Sequence, residues 1–327
     1  MDTSLQLEKG LLNWLLEPVN PSVRYFTLTK IFNKTVDNQE VKQARADIIN
    51  SEPVKGILAL QKKGGWWNNH EHATMPMYLS TAWQLMLLAE LSASWEDKRV
   101  REGVDFVFEN AQDKRGAFPH EGTRWQKKSP MDLICNDGLI AFGLICVGVP
   151  CSDERMCHTV DFFADVLRSG EYECRFNKGA ICAWGVVKAL RVLSRVPQTE
   201  RSQSVKEAID RAADFMLSRN LAKADYPTKP GGKVSPHWFL LGFPRSYQAD
   251  ILQTALILTD LGYSKDSRFK PVEDFLLSKR LTDSAWPLEA TWNKLSIPFV
   301  KKSKRNPSKW ITWQVLYILK KAGASIS

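Results

Sequence analysis

Two aspartates stand inside apolar stretches of this chain, Asp137 in PMDLICNDGLIAFGLICV and Asp250 in FPRSYQADILQTALILTDL. Burial disfavours a charged carboxylate and raises its pKa, which would suit either residue to general acid or base work. The competing reading makes them caps of neighbouring loops, or partners of Arg24 and Arg245. A second set is Cys135, Cys174 and Cys182 with His237. Three thiolates and one imidazole form a complete tetrahedral donor set for zinc, the one cofactor the sequence suggests. The competing reading there is core packing, because buried Cys behaves as a small hydrophobe. His70-Glu71-His72 lies beside Trp66-Trp67, where alternate residues of a loop are as readily solvated.

The elements that must position these residues show themselves as a repeat. Asp-Phe recurs as Asp105-Phe106, Asp161-Phe162, Asp214-Phe215 and Asp274-Phe275, at intervals of 56, 53 and 60 residues. About eleven residues past each Phe stands Phe118, Cys174, Tyr226 or Trp286, and a degenerate copy, ILALQKKGGWW, precedes them. A fixed period of this size marks a repeat architecture. Each Asp-Phe helix has a polar face and alternates with a second, more apolar helix, over 75–91, 130–147, 179–195 and 243–261. Helices apolar on several faces are buried on most sides. An N-terminal helix is expected over 5–16. PSVRYFTLTKIF and PSKWITWQVLYILKK, almost 290 residues apart, share one pattern with Pro in the first turn. Six inner and six outer helices with apolar ends predict an all-α chain closed into an α/α toroid, one domain over 1–327. Strand signals are almost absent.

In such a ring, function gathers at one end of the central cavity. The first turns of the inner helices carry Arg24 and Tyr25, Tyr78 and Trp83, Asp132, Asn136 and Asp137, Cys182 and Trp184, Arg245, Tyr247 and Asp250, and Lys309, Trp310 and Trp313. Helix N-termini favour anions, and the net charge of +9 suits an anionic ligand. The charge is diffuse and no recognition module for nucleic acid is present, so nucleic acid is not the expected partner. The run 301–305 (KKSKR) is a solvated loop or a steering patch for such a ligand. No apolar run reaches the ~18 residues that span a bilayer, so any membrane contact is with its surface. The N-terminus has no basic start or cleavage site, and all six Cys fall within 48 residues as expected thiols; a cytoplasmic location follows as the expectation.

Gln61-x-x-Gly64-Gly65-Trp66, Gln112-x-x-x-Gly116-x-Phe118 and the degenerate Ser284-Ala285-Trp286 resemble the turns of the terpenoid-cyclase and protein-prenyltransferase superfamily, where Gln…Gly…Trp ties adjacent helix pairs together. The resemblance covers nearly the whole chain as a repeat pattern. It is greatest for the small bacterial prenyltransferase- and squalene-cyclase-repeat proteins, whose chemistry the motifs do not define. Squalene-type cyclases protonate their substrate with Asp-x-Asp-Asp, and no such tetrapeptide occurs here. Protein prenyltransferases carry Arg-x-Asn-Lys, then Asp-x-Cys, with a later His completing the zinc site. Arg175-Phe176-Asn177-Lys178 and Cys182 match in part, but Ala180 or Ile181 fills the place of the Asp. The resemblance would give Arg175 and Lys178 a diphosphate and Cys182 a metal.

Three readings follow. In the first, the chain binds or transforms an isoprenoid or its diphosphate. Trp83, Trp184, Trp310 and Trp313 would wall an apolar cavity and stabilise cations by their π faces, while Arg24, Arg175, Lys178 and Arg245 would hold the diphosphate. In the second, the ring binds a lipid or a protein without chemistry. In the third, it is a glycan hydrolase or lyase using paired carboxylates drawn from Asp137, Asp250 and Glu289.

Overall fold

Helices with one apolar stripe alternate along the chain with helices that have no polar face to offer water. In order they are α1 (Leu11–Leu15), α2 (Pro21–Phe26), which runs into a π-helical turn (Thr27–Ile31), α3 (Gln39–Ile48), α4 (Glu52–Ala59), α5 (Thr81–Glu90), α6 (Lys98–Ala111), α7 (Ile134–Val147), α8 (Glu154–Ser169), α9 (Ala183–Leu193), α10 (Gln203–Leu217), α11 (Ile251–Asp260), α12 (Lys270–Ser278) and α13 (Lys309–Ala322). This computed structural model describes residues 4–5, 10–119, 133–174, 177, 179–223, 234–282, 284–292 and 294–326. Arg175 and Lys178, like Asp132 and Tyr226, lie outside the described residues.

Every residue of α5 is buried, and α7, α9, α11 and α13 are buried along almost their whole length. They form the inner wall. α5 packs on α7, α7 on α9, α9 on α11, α11 on α13, and α13 on α2 and its π-turn. The last joint is made by Ser22, whose hydroxyl donates to Leu91 O at 2.7 Å. Helices α4, α6, α8, α10 and α12 bury one stripe each against this wall. The result is an all-α double ring, the α/α toroid expected, and one hydrophobic cluster runs through it from Leu11 to Leu319. The ends meet. β1 (Ser4–Leu5) pairs in parallel with β6 (Ser325–Ile326), and Lys309 Nζ reaches Glu17 at 2.6 Å.

The glutamine turns tie neighbouring repeats as the pattern required. Gln61 Nε2 donates to Gly65 O (3.1 Å) and to Arg99 O (2.7 Å) of the next outer helix. Gln112 Nε2 does the same to Arg155 O (2.7 Å) and the Thr159 hydroxyl (2.8 Å). Gly65 and Gly116, with φ +87° and +86°, sit so close to the next helix that a Cβ would stand 2.3 Å from Glu102 O or His158 O. Only glycine fits there. Phe118, in the turn after α6, has no polar hydrogen; after the other outer helices α4, α8, α10 and α12 an aromatic caps the helix by donating to a carbonyl at or near its end. Trp67 Nε1 reaches Ile57 O (2.7 Å), Tyr172 Oη Leu167 O (2.8 Å), Trp238 Nε1 Leu221 O (2.8 Å) and Trp286 Nε1 Leu276 O (2.6 Å). Spacing alone pointed to Trp66, Cys174 and Tyr226. Trp67 and Tyr172 do the work in place of Trp66 and Cys174, because theirs are the polar hydrogens that reach a carbonyl, and Trp238 does it for α10; Tyr226 lies outside the described residues.

Several inner helices begin later than apolar content suggested. Residues 75–80 and 243–250 are loops, and 180–181 form β3 (Ala180–Ile181) against β2 (Glu173–Cys174). A second short hairpin joins β4 (Pro287–Leu288) to β5 (Ser303–Pro307). Asp250 is therefore the N-cap of α11, accepting from Gln253 N at 2.6 Å, rather than a residue inside the helix.

Candidate functional site

A cavity of about 510 Å³ lies inside the ring, towards the C-terminal ends of α5, α7, α9 and α11. Its wall combines aromatic rings, Tyr25, Phe26, Phe142, Phe243 and Trp313, with a strongly cationic set of side chains. Six cationic side chains (Lys30, Lys34, Arg45, Arg191, Arg195 and Arg245) face it against two carboxylates, Glu90 and Asp260. Cations suit the negative ends of helix dipoles, which explains part of the excess.

The pairing is uneven. Arg191 Nη2 donates to Glu90 Oε1 at 2.7 Å, both side chains being at most 8% exposed. The Arg191 guanidinium also lies over the Phe142 ring, 3.3 Å from its centroid. Asp260 serves three groups: Arg195 at 3.1 Å, Lys30 at 3.1 Å and the Tyr317 hydroxyl at 2.8 Å. Burial pushes the Asp260 carboxyl up, but Arg195, Lys30 and the Tyr317 hydrogen bond outweigh it and hold the group below the usual carboxylate range. Two cations thus share one carboxylate. Arg45 has no carboxylate in the contacts it makes here; it donates to Ser92 O at 2.9 Å and lies over Tyr25. Three buried donors on the cavity wall have no hydrogen-bond partner among the described residues: Arg191 Nη1, Arg195 Nε and Trp313 Nε1.

Arg245 forms part of the cavity's floor. It is 3% exposed, donates from Nε to both Asp250 oxygens at 3.2 Å and from Nη2 to Gln314 Oε1 at 3.0 Å. On its far side, at the other mouth, lies a smaller cavity of about 270 Å³ bordered by Tyr78, His237, Tyr247, Asp250, Glu289 and Trp292 among others. Asp250 thus takes the role its competing reading gave it, capping α11 and pairing with Arg245. Lys302, from the basic run, borders this smaller cavity too.

The ring brings some of the sequence-derived residues together and scatters others. Trp313 stacks on Phe26 (4.5 Å) at the larger cavity, and Trp310 stacks on Phe243 (4.2 Å). Trp83 packs with Tyr78 and Trp292 (4.8 and 5.1 Å), and Trp184 edges Tyr247 (6.1 Å), towards the smaller cavity. Arg24 reaches Glu40, at 4.0 Å. Asp137 is fully buried in the first turn of α7. Beside it Cys135 has its thiol pushed up to about 12, by burial first and then by Cys174 and Asp137. Cys182 is raised as well, first by its hydrogen bond with Cys174 and then by burial. Among the described residues, no three of His, Cys, Asp and Glu are disposed to hold a metal ion.

Lys30, Glu90, Arg191, Arg195 and Asp260 escaped the sequence reading, which searched the first turns. Their signal was present at the other ends: Glu90 and Asp260 close two apolar helices, and Arg191 and Arg195 stand one turn apart at the end of a third.

No family model and no curated protein matches the chain. Among solved structures it is similar to the type II terpene cyclase MstE from Scytonema, at 14% identity over 94% of this chain and 88% of that one, with a TM-score of 0.45. It is also similar to a protein from Actinoplanes, at 14% identity over 95% and 90% of the two chains, with a TM-score of 0.43. An MstE variant in complex with geranylgeranyl dihydroxybenzoate aligns over 85% of this chain and 97% of that one, at 13% identity and a TM-score of 0.29. The terpenoid-cyclase resemblance of the repeats stands at the level of fold, where the ring contacts within this chain carry it.

Proposed function

We propose that the ring binds an isoprenoid with an anionic head, a diphosphate, as a member of the terpenoid-cyclase and prenyltransferase-like class that lacks the Asp-x-Asp-Asp acid. One observation carries this reading. In a cavity walled by aromatic rings, the buried Arg191 Nη1, Arg195 Nε and Trp313 Nε1 have no partner among the described residues. Leaving a buried donor unpaired costs about 1–3 kcal/mol, and an anion would recover that for all three. The aromatic faces would take the hydrocarbon chain and favour any cationic charge on it.

A second reading, a ring that carries its ligand without transforming it, draws on the two carboxylates. Glu90 is occupied by Arg191, and Asp260 is held charged by Arg195 and Lys30. Both carboxylates lining this cavity are thus engaged by cations, which favours carrying over chemistry begun by an acid here. Calorimetric titration with farnesyl diphosphate, with farnesol as the uncharged control, tests the binding. The diphosphate should bind in the micromolar range and farnesol at least about tenfold more weakly, with Arg195→Ala removing about tenfold of the affinity. Equal binding of both compounds, or no effect of the variant, would refute the reading. Mass analysis of the same incubations separates carrying from transforming.

A further inference from the structure

We propose that the smaller cavity, at the opposite mouth of the ring, is a separate site for a neutral, hydroxyl-rich ring molecule: a sugar residue. The cavity holds two of the three carboxylates that a glycan enzyme would draw on, Asp250 and Glu289. Both are already compensated. Asp250 accepts from Arg245 Nε (3.2 Å), Gly242 N (3.2 Å) and Gln253 N (2.6 Å). Glu289 accepts from Lys279 Nζ (2.9 Å) and Leu241 N (3.0 Å). Cleaving a glycosidic bond needs one protonated and one free carboxylate. Two carboxylates fixed by cations and backbone N–H groups supply neither, but their remaining lone pairs can still accept from hydroxyls.

Charge then selects the ligand. Each carboxylate has its own cation in place, and the further charge at this cavity is the solvent-exposed Lys302 at its border, a far weaker pull on an anion than the six cations against two carboxylates of the larger cavity. Trp292 and Tyr78, with ring centroids 5.3 Å apart and planes tilted by 51°, put two aromatic rings at the border of the cavity, against which the C–H face of a sugar can pack. Trp292 is 5% exposed, and among the described residues its indole N–H and the buried Thr291 hydroxyl beside it have no partner. Both residues border the cavity. Unpaired neutral donors next to compensated acceptors are what a polyhydroxylated molecule satisfies. The volume of about 270 Å³ suits one sugar unit and not a long chain.

Saturation-transfer NMR with glucose, galactose and N-acetylglucosamine, backed by tryptophan fluorescence, tests this on the full chain. At least one sugar should bind saturably at millimolar concentration or below. Trp292→Phe, which keeps the ring but removes the N–H, should weaken it about tenfold. Thr291→Val supplies a second loss of a donor that leaves the aromatic cluster alone, and should weaken binding in the same direction. Arg195→Ala, in the other cavity, should leave sugar binding unchanged, so this site fails or stands independently of the isoprenoid one. Absence of saturable binding by all three sugars, or parental affinity in both Trp292→Phe and Thr291→Val, would overturn the proposal.

Discussion

Replacing Asp260 by Asn should weaken the fold and tighten the larger site at once. Asp260 ends α11 and receives Arg195, Lys30 and Tyr317 within 3.1 Å. Asparagine keeps the shape and can still accept the Tyr317 hydroxyl, but it leaves two cations without their shared counter-charge. Breaking a buried pair costs about 3–5 kcal/mol. The Arg195 and Lys30 side chains are 28% and 33% exposed, so water recovers part of that, and we expect a loss of about 2 kcal/mol. An anion in the cavity feels the opposite change, since one repelling carboxylate is gone. At 4 Å and an effective dielectric of 20 that repulsion is about 4 kcal/mol. Distance and screening reduce it, and a tenfold tighter Kd, about 1.4 kcal/mol, is expected. Urea unfolding reads the first quantity and titration with farnesyl diphosphate the second. The pH dependence adds an internal check. Asp260 has a lowered folded pKa, so its stabilisation is complete above pH about 4, its unfolded value, and is lost as pH falls through the lower folded value. The Asn variant should lack that acid-side loss. Affinity that falls together with stability would refute the assignment of this cluster to anion binding.

Lys188 is fully buried on α9 and donates to Ser246 O at 2.6 Å; burial, then Arg191 and Arg245, depress its pKa. The unfolded chain therefore binds more protons, so stability should rise as pH climbs from 7 towards the unfolded value of about 10.4. Lys188→Met should be more stable at pH 7 by about 2 kcal/mol and lose that slope, as denaturant unfolding at several pH values would show. Gly116→Ala should cost about 3 kcal/mol or more, from the positive φ and the clash with His158, and should lower the midpoint of thermal unfolding. Ser284 occupies the matching turn near Trp286 with φ +62°, so Ser284→Gly should raise stability by about 0.5–1 kcal/mol in the same assay. Trp286→Phe should cost about 2 kcal/mol, because Leu276 O loses a donor at 2.6 Å.

The ring was legible because its cause is periodic. The alternation of striped and all-apolar helices, and the Gln and Gly of the turns, are local patterns, and the contacts of Gln61 and Gln112 follow from them directly. Boundaries were less legible. Apolar loops such as 75–80 and 243–250 read as helix, since a buried loop and a buried helix have the same composition. The larger site was hidden for a different reason. Its charges come one or two per helix from Glu90, Arg191, Arg195 and Asp260, 170 residues apart at the extremes, and only closure of the ring shows that they face one another. Asp250 misled because the residue before a helix and the residue inside its first turn look alike in sequence. The Cys174–Cys182 contact, in turn, depends on a hairpin too short to leave an alternating pattern.

The closing joint has a consequence for how the protein is made. α13 docks on α2 and its π-turn, and it contributes Trp313 and Gln314 to the larger cavity. Closing a loop of nearly 290 residues costs about 5 kcal/mol in chain entropy, beyond a constant, before any contact repays it. A nascent chain emerging from the ribosome N-terminus first would hold five of the six inner helices as an open crescent, with one wall of the cavity missing. Its binding site would come into being only when α13 has been synthesised and docked. A ligand added during refolding should therefore leave the early steps untouched and slow only the reopening of that last seam.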